Sequence, residues 1–416
     1  MSRVINLPTG WKRKRLEKVA IIQTGIAKNQ NSKEECIELP YLRVANVQDG
    51  YLDLSEIKTI NIHKDKVNRY RLENGDVLLT EGGDFDKLGR GAVWEGQIQN
   101  CLHQNHVFAV RPNSHELLSS FLSAQTGSSY GKRYFLSCSK QSTNLASINS
   151  SQLKVFPVLL PPLSEQKAIA DLLSTWDEAI EKTERLILAK ERRFRWLLRK
   201  LMSPATVSSD ECSVISDELG NNSDISTHNS VLGKAAWKKM KLGDLFGKEV
   251  KVEKGKALTK ESNTEGDVPV VAGGQTYAYF TNRSTHEIPT VTVSASGAYA
   301  GFVWYHDYPI WASDCNVLHA TKGVTKFLYF TLKAMQHRVY ALQSGGAQPH
   351  VYSKDMKNLH IFWPQVEEQQ EISETLSSAQ HEIDLLKQLT DKYKTQKRGL
   401  MQKMLTGIWR VRGFAE

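Results

Sequence analysis

Few side chains in this sequence stand together in a way that could run a reaction. His103-Gln104-Asn105-His106 sets two imidazoles three residues apart. Beside a strand, such neighbours face opposite sides, and no further ligand types cluster nearby, so the spacing does not suit a metal ion. Glu81-Gly82-Gly83-Asp84-Phe85-Asp86-Lys87 offers carboxylates and a lysine, the residue types of a metal-dependent nuclease. It lacks the flanking strand pattern and a second placed carboxylate, so a polar loop is the simpler reading. Neither GxxxxGK[ST] nor GxGxxG occurs, which removes the usual phosphate-cradling loops. The Asn-Pro-Pro-aromatic string of amino-methyltransferases is also missing; Leu160-Pro161-Pro162-Leu163 lacks both its amide and its aromatic. The expectation is a chain with no catalytic residues and no metal site of its own.

Charge points to binding. The 416 residues carry a formal +9, of which residues 1–164 supply +6 and residues 237–364 supply +5. Two basic blocks on a near-neutral remainder suit a polyanion at two places; the bland alternative is a soluble protein that is basic for no specific reason. A hydrophobic share of 40% and a charged share of 24% are ordinary for a globular chain. There is no long apolar run and no signal-like N-terminal segment, so a cytoplasmic protein without membrane contact is expected. Cys36, Cys101, Cys138, Cys212 and Cys315 are odd in number and scattered, which suggests reduced thiols.

The element that must hold these blocks is a helix. From Glu165 to Met202, apolar residues recur in steps of four and three: Ile169, Leu173, Trp176, Ile180, Ile187, Phe194, Leu197 and Leu201. Thr183 and Lys190 interrupt the series. A heptad seam of this length predicts a long helix, roughly 57 Å at about 1.5 Å per residue. Shifted by 203 positions without a gap, the seam returns as Ile372, Leu376, Ile383, Leu386, Leu400 and Met404. Glu165 then falls on Glu368, Gln166 on Gln369, Pro161 on Pro364, Arg195 on Arg398 and Lys200 on Lys403. The chain is a duplication. A lone heptad helix would read as a homodimer stalk; two copies in one chain favour an intramolecular pair, with an antiparallel arrangement inferred from the symmetry.

Each helix follows a block of short strand-like runs. In the first they are Pro40–Val44, Asp76–Thr80, Gly91–Trp94, His106–Val110 and Val155–Leu160, with a helix over Glu116–Phe135. In the second they are Val268–Val271, Thr290–Val293 and Gly301–Tyr305, with a helix over Lys326–Leu342. Trp11 and Trp237 open the two blocks inside similar basic runs. A matching start favours a tryptophan that pins the fold over one that touches phosphate. The boundaries read as a first block at 1–164, a helix at 165–202, a linker at 203–236, a second block at 237–364 and a helical stretch at 365–416. The linker is rich in Ser, Asn and Asp and has no periodicity.

Leu159-Leu160-Pro161-Pro162-Leu163-Ser164-Glu165-Gln166-Lys167-Ala168-Ile169, running into the seam, resembles the DNA specificity subunits of type I restriction–modification systems. So does its weaker copy, Trp363-Pro364-Gln365-Val366-Glu367-Glu368-Gln369-Gln370-Glu371-Ile372, which has Pro-Gln-Val where Pro-Pro-Leu is usual. Leu42–Val47, Asn74–Leu78 and Ser344–Pro349 extend the resemblance over nearly the whole chain. It implies an α+β fold: two mixed, strand-dominated target-recognition domains separated by two long helices that form an antiparallel coiled coil, with a pseudo-twofold internal repeat. It implies a non-catalytic subunit that reads a bipartite, asymmetric site in double-stranded DNA, one half per domain. Two methyltransferase subunits would dock on the helices, and motor-nuclease subunits would join them. S-adenosylmethionine, ATP and Mg²⁺ would belong to those partners, and this chain would hold no cofactor.

Phosphates call for Lys and Arg, and base edges for Arg, Asn, Gln and Ser on loops. On that basis the expected DNA contacts in the first domain are Lys28, Asn29, Gln30, Arg43, Lys87, Arg90, Lys140 and Gln141. In the second they are Lys256, Gln275, Tyr277, Arg283, Ser296, Tyr299, Gln348 and His350. Each could equally be a solvated or turn residue. Two other classes stay open: a stand-alone bipartite DNA-binding protein, which would lack neighbouring methyltransferase and motor genes, and a coiled-coil scaffold, which would show no salt-dependent DNA shift.

Overall fold

The computed structural model describes residues 6–27, 35–83, 88–141, 146–203, 237–259 and 263–414. The chain forms two compact units, Met1–Glu184 with Gln388–Glu416, and Arg185–Lys387. The two long helices, Leu163–Leu201 and Val366–Met404, each 39 residues, lend one half to each unit. The linker expected over 203–236 lies, from residue 204 on, outside the described residues.

The first unit is built on a four-stranded antiparallel sheet in the order Ala20–Thr24, Val107–Pro112, Val77–Thr80, Gly91–Val93. Every residue of Val77–Thr80 is buried, as a central strand covered on both faces requires. Its side chains alternate. Val77 and Leu79 enter the main core, and Leu78 enters a second cluster with Leu42, Trp94 and Val107. A smaller sheet sets Cys36–Leu42 antiparallel to Lys58–His63 and parallel to Leu102–His103.

The second unit repeats this plan. Its four-stranded sheet runs Val250–Lys254, Cys315–Ala320, Thr290–Ser294, Val303–His306, again antiparallel throughout. Val268–Val271 pairs antiparallel with Phe280–Thr281 and parallel with Trp311–Ala312, mirroring the first unit's small sheet. In both units the opening strand pairs with the last one: Lys12–Arg15 with Pro157–Leu160, and Lys238–Lys241 with His360–Trp363. The duplication is therefore one of fold as well as of sequence.

The single helices expected over Glu116–Phe135 and Lys326–Leu342 are each broken in two. Ser119–Gly127 ends where Ser128 turns extended (φ −72°, ψ 168°), and the Ser128 hydroxyl then accepts from Gly131 N to cap Ser129–Cys138. Thr325–Ala334 and Gln336–Tyr340 part at Met335 (φ −108°, ψ 26°). Continuous apolar spacing concealed both breaks.

Within each unit the two helices run antiparallel. In the first, Asp177 meets Lys397 and Glu184 meets Lys394, so one number falls as the other rises; Glu165 meets Arg410 just beyond the end of the second helix, and Trp176 packs edge-on against Tyr393. In the second, Lys190 pairs with Glu382 at 2.6 Å while Phe194, Leu197 and Leu201 pack against the core that holds Leu376 and Ile372, so the order reverses again; Glu191 also bridges to Lys387 at 2.6 Å. Ile169, Leu173 and Met404 join the main core of the first unit, and Ile372 and Leu376 that of the second, with Phe194, Leu197 and Leu201 packed against it. Ile187 and Ile383 are buried, while Trp176, Ile180, Leu386 and Leu400 are half-buried. Among the described residues, no helix is long and apolar enough to cross a membrane. Cys36, Cys101, Cys138 and Cys315 are free thiols; Cys212 lies outside the described residues.

Candidate nucleic-acid interface

Five segments meet at one end of the second unit's main sheet, tied side by side chiefly by backbone hydrogen bonds. Gly255 N donates to Cys315 O and Lys256 N to Ala312 O, both at 2.8 Å. A Cβ on Gly255 would stand 1.9 Å from Ser313 O, so only glycine allows the approach. Ser313 N donates to Val271 O, and Ser294 Oγ to Gly273 O at 2.9 Å, which brings in the Gly273-Gly274-Gln275 loop. Gly297 N donates to Pro349 O and Val351 N to Ala295 O, both at 3.0 Å, which brings in the 344–350 hairpin. Ser344 and His350 close that hairpin with reciprocal bonds of 2.9 and 2.8 Å.

This arrangement gathers six of the eight residues selected in the second domain: Lys256, Gln275, Ser296, Tyr299, Gln348 and His350. Lys256, Gln275, Tyr299 and Gln348 are exposed. Arg283 sits at the margin, its guanidinium 5.3 Å from the centre of the Trp311 ring, whose Nε1 donates to Lys256 O. Tyr277 is placed differently. It stacks on Trp304 (4.9 Å, 13°) and shares a 2.5 Å hydrogen bond with Tyr308, inside an apolar cluster.

Two residues of this loop end were not selected. Tyr352 is 47% exposed and stacks on His350 at 5.9 Å. Asp314 accepts a hydrogen bond from Ser296 Oγ. An aromatic two residues beyond His350 was a readable signal; Asp314 gave none, because its neighbours at this site are distant in sequence.

The first unit presents the same end. Ile26 N donates to His103 O at 2.8 Å, and a Cβ on Gly25 would lie 2.1 Å from that oxygen. Glu81 N donates to His106 O and Ile148 N to Glu81 O. Gly82–Gly83, Ala146–Ser147 and Lys140–Gln141 form a three-stranded ribbon where the second unit has its bridged hairpin. Lys140 is exposed there, with Gln141 next to it in the ribbon. Arg43 follows Leu42 at this end, but its guanidinium is occupied by Glu56 (3.3 Å to the carbonyl, 3.4 Å to the carboxylate). Arg90 donates to Gln48 Oε1 at 2.8 Å. Lys28, Asn29, Gln30 and Lys87 lie outside the described residues.

The repeated Glu-Gln pair shapes the opposite part of each unit. Gln166 accepts from Leu118 N and donates to Pro161 O, while Gln369 accepts from Val324 N and donates to Pro364 O. Each glutamine thus ties the start of a long helix to the backbone where a shorter helix begins. Trp11 and Trp237 donate through Nε1 to Glu165 and Glu368, so both tryptophans act structurally.

His103 and His106 do not converge. Burial pushes His103 down to about 4; its Nδ1 lies 3.1 Å from Tyr70 O. His106 is on the surface, with Nδ1 2.6 Å from Glu81 Oε2. His306 is also buried and pushed down to about 4, with Thr292 Oγ1 2.9 Å from its Nε2.

Comparison with known proteins agrees with the duplicated architecture. The family model described as the type I restriction modification DNA specificity domain matches residues 8–190 and again 234–394. A Methanocaldococcus jannaschii protein assigned as the MjaX type I restriction enzyme specificity subunit is 24% identical over 98% of this chain and 95% of its own length. The EcoKI specificity subunit of Escherichia coli is 26% identical over 41% of this chain and 37% of its own. A crystal structure of a type I restriction–modification S subunit from M. genitalium shares the fold, with a TM-score of 0.61 at 16% identity over 97% of both chains. With two matches to the specificity domain and one sheet order repeated in both units, the chain belongs to the DNA specificity subunits of type I restriction–modification systems.

Proposed function

We propose that each unit reads one half of a bipartite, asymmetric DNA site through the loop end described above, and that the two long helices set the unread gap between the halves. The observation that carries this reading is the same loop end, built twice on one sheet order but furnished with different side chains. One scaffold with two sets of reading residues suits two different half-sites. Lys256, Gln275, Ser296, Tyr299, Gln348 and His350 are the reading set in the second unit, with Arg283 beside them. Lys140 and Gln141 are the set in the first, and Lys28, Asn29, Gln30 and Lys87 are proposed with them on residue type alone. Arg43 and Arg90 are already engaged through one guanidinium nitrogen each, with Glu56 and Gln48, and are left out of the reading set.

The chemistry belongs to partners. Two methyltransferase subunits dock on the long helices, where Leu186, Leu188 and Leu385 leave apolar surface uncovered in the second unit. Motor-nuclease subunits complete the complex, and S-adenosylmethionine, ATP and Mg²⁺ are bound by those partners, in the cytoplasm. Co-expression with the methyltransferase subunit, followed by mapping of methylated adenines across the host genome, tests the reading. A two-part motif with a fixed gap is expected; a continuous motif breaks the two-reader arrangement.

A further inference from the structure

Matching hydrogen bonds align the two loop ends around the start of one strand, and one position stands out. Glu81 N donates to His106 O as Ala295 N donates to Asp314 O, and Ile148 N donates to Glu81 O as Val351 N donates to Ala295 O. His106 and Asp314 are therefore the same place in the two folds, one residue before the strand that carries Val107 or Cys315. In each unit this side chain is held by a partner from the adjoining loop: His106 by Glu81 Oε2 at 2.6 Å, and Asp314 by Ser296 Oγ. The partner differs in type and comes from a position one residue apart, yet each fixes the side chain among the loops.

A carboxylate is an unexpected occupant. It lies on a basic block, between the Lys256 segment and the Gln348 hairpin, where a polyanion would be repelled by it. Beside bound DNA, an aspartate there is favourable where it faces a hydrogen-bond donor on the nucleic acid, and in the major groove that donor is the exocyclic amino group of cytosine or adenine. Ser296 uses one of the carboxylate's several acceptor positions and orients the remainder.

We propose that position 106/314 is a specificity-determining base contact in both readers, with Asp314 accepting from an exocyclic amino group in the half-site of the second unit. The proposal rests on the bipartite reading above. His106 is the corresponding contact in the first unit, with Nδ1 committed to Glu81 and Nε2 held only by a long 3.4 Å contact to the exposed Asn105 amide, which a base edge would replace.

The test maps methylated adenines made by the assembled methyltransferase with the parent chain, Asp314→Asn, Ser296→Ala and His106→Gln. Asp314→Asn is expected to lower discrimination at a single base pair by roughly tenfold or more, leaving the other half-site and the gap unchanged. Ser296→Ala, which keeps the carboxylate but frees it, should weaken the same base pair to a smaller degree. His106→Gln should alter the opposite half-site. If Asp314→Asn and Ser296→Ala only slow methylation uniformly at the parent motif, the residues merely hold their loop and the proposal fails. A parent chain that yields no two-part motif overturns the bipartite reading itself.

Discussion

Trp11 Nε1 donates to Glu165 Oε2 at 3.1 Å, joining the start of the chain to the start of the first long helix in a place closed to water. Arg410 completes the site with a two-pronged contact to the same carboxylate, at 3.0 and 2.8 Å. The repeat supplies the same glutamate again: Trp237 Nε1 donates to Glu368 Oε1 at 2.7 Å, but Glu368 is only half-buried.

The two copies should therefore differ in what they contribute to stability. Removing one partner of a buried, paired charge costs about 3–5 kcal/mol, whereas weakening a half-exposed hydrogen bond costs about 1 kcal/mol. Glu165→Gln is expected to lower the melting transition of the first unit by roughly 6–15 °C, and Glu368→Gln that of the second by only about 2–4 °C. Scanning calorimetry of the two variants checks the asymmetry, and equal shifts would refute it.

The same pair shows what sequence could reveal. Glu165 and Glu368, Gln166 and Gln369, and Pro161 and Pro364 keep a spacing of 203 because each is packed or hydrogen-bonded in a fixed framework, so the duplication and the helices were legible. The loop end was legible only in part. Residue type alone singles out Lys256, Gln275 and Gln348 as candidates, but their meeting at one end depends on bonds between segments tens of residues apart, which leave no local pattern. Arg43 and Arg90 were chosen by the same rule, and nothing nearby in sequence announced that Glu56 and Gln48 hold them. Tyr277 lies in a loop by sequence yet is captured by the ring of Trp304.

Acid should weaken both units. His103 and His306 are held down to about 4 by burial, from an ordinary value of 6.5. Between those values the unfolded chain takes up a proton that the folded chain refuses. Stability is therefore full above about pH 6.5, falls as the pH drops towards about 4, and then levels for these groups, by on the order of 3 kcal/mol for each. Melting temperatures measured at pH 7 and pH 5 should show the fall, and His306→Gln should flatten it for the second unit alone. A slope unchanged by that substitution would assign the acid sensitivity to other groups.

Base readers and phosphate contacts should separate cleanly in the second unit. Gln348 stands on a hairpin where Gly345 adopts φ +98°, a left-handed turn that favours glycine and leaves the Gln348 side chain exposed at the tip. Gln348→Ala is expected to relax one position of the motif, with little change in salt dependence. Lys256→Ala should weaken binding to every sequence alike and reduce the slope of log affinity against log salt by about one. Titrations of parent and single-base variant duplexes at several salt concentrations distinguish the two. Identical sequence preference in Gln348→Ala and the parent removes Gln348 from the reading set.

The unread gap should follow helix length. Half-sites about one DNA turn apart are roughly 34 Å between centres. A helix of 39 residues extends roughly 58 Å, enough to set a separation of that order. Because the two helices pair antiparallel within each unit, Lys190 with Glu382 and Asp177 with Lys397, lengthening one alone would break the pairing. Four residues inserted in both helices add about 6 Å each, equivalent to roughly two base pairs. The methylated motif of such a variant should keep both half-sites and widen its gap by one or two base pairs. A single-helix insertion is expected to lower complex yield through the lost register. A double insertion that methylates the parent motif with its original gap would show that something other than the helices sets the spacing.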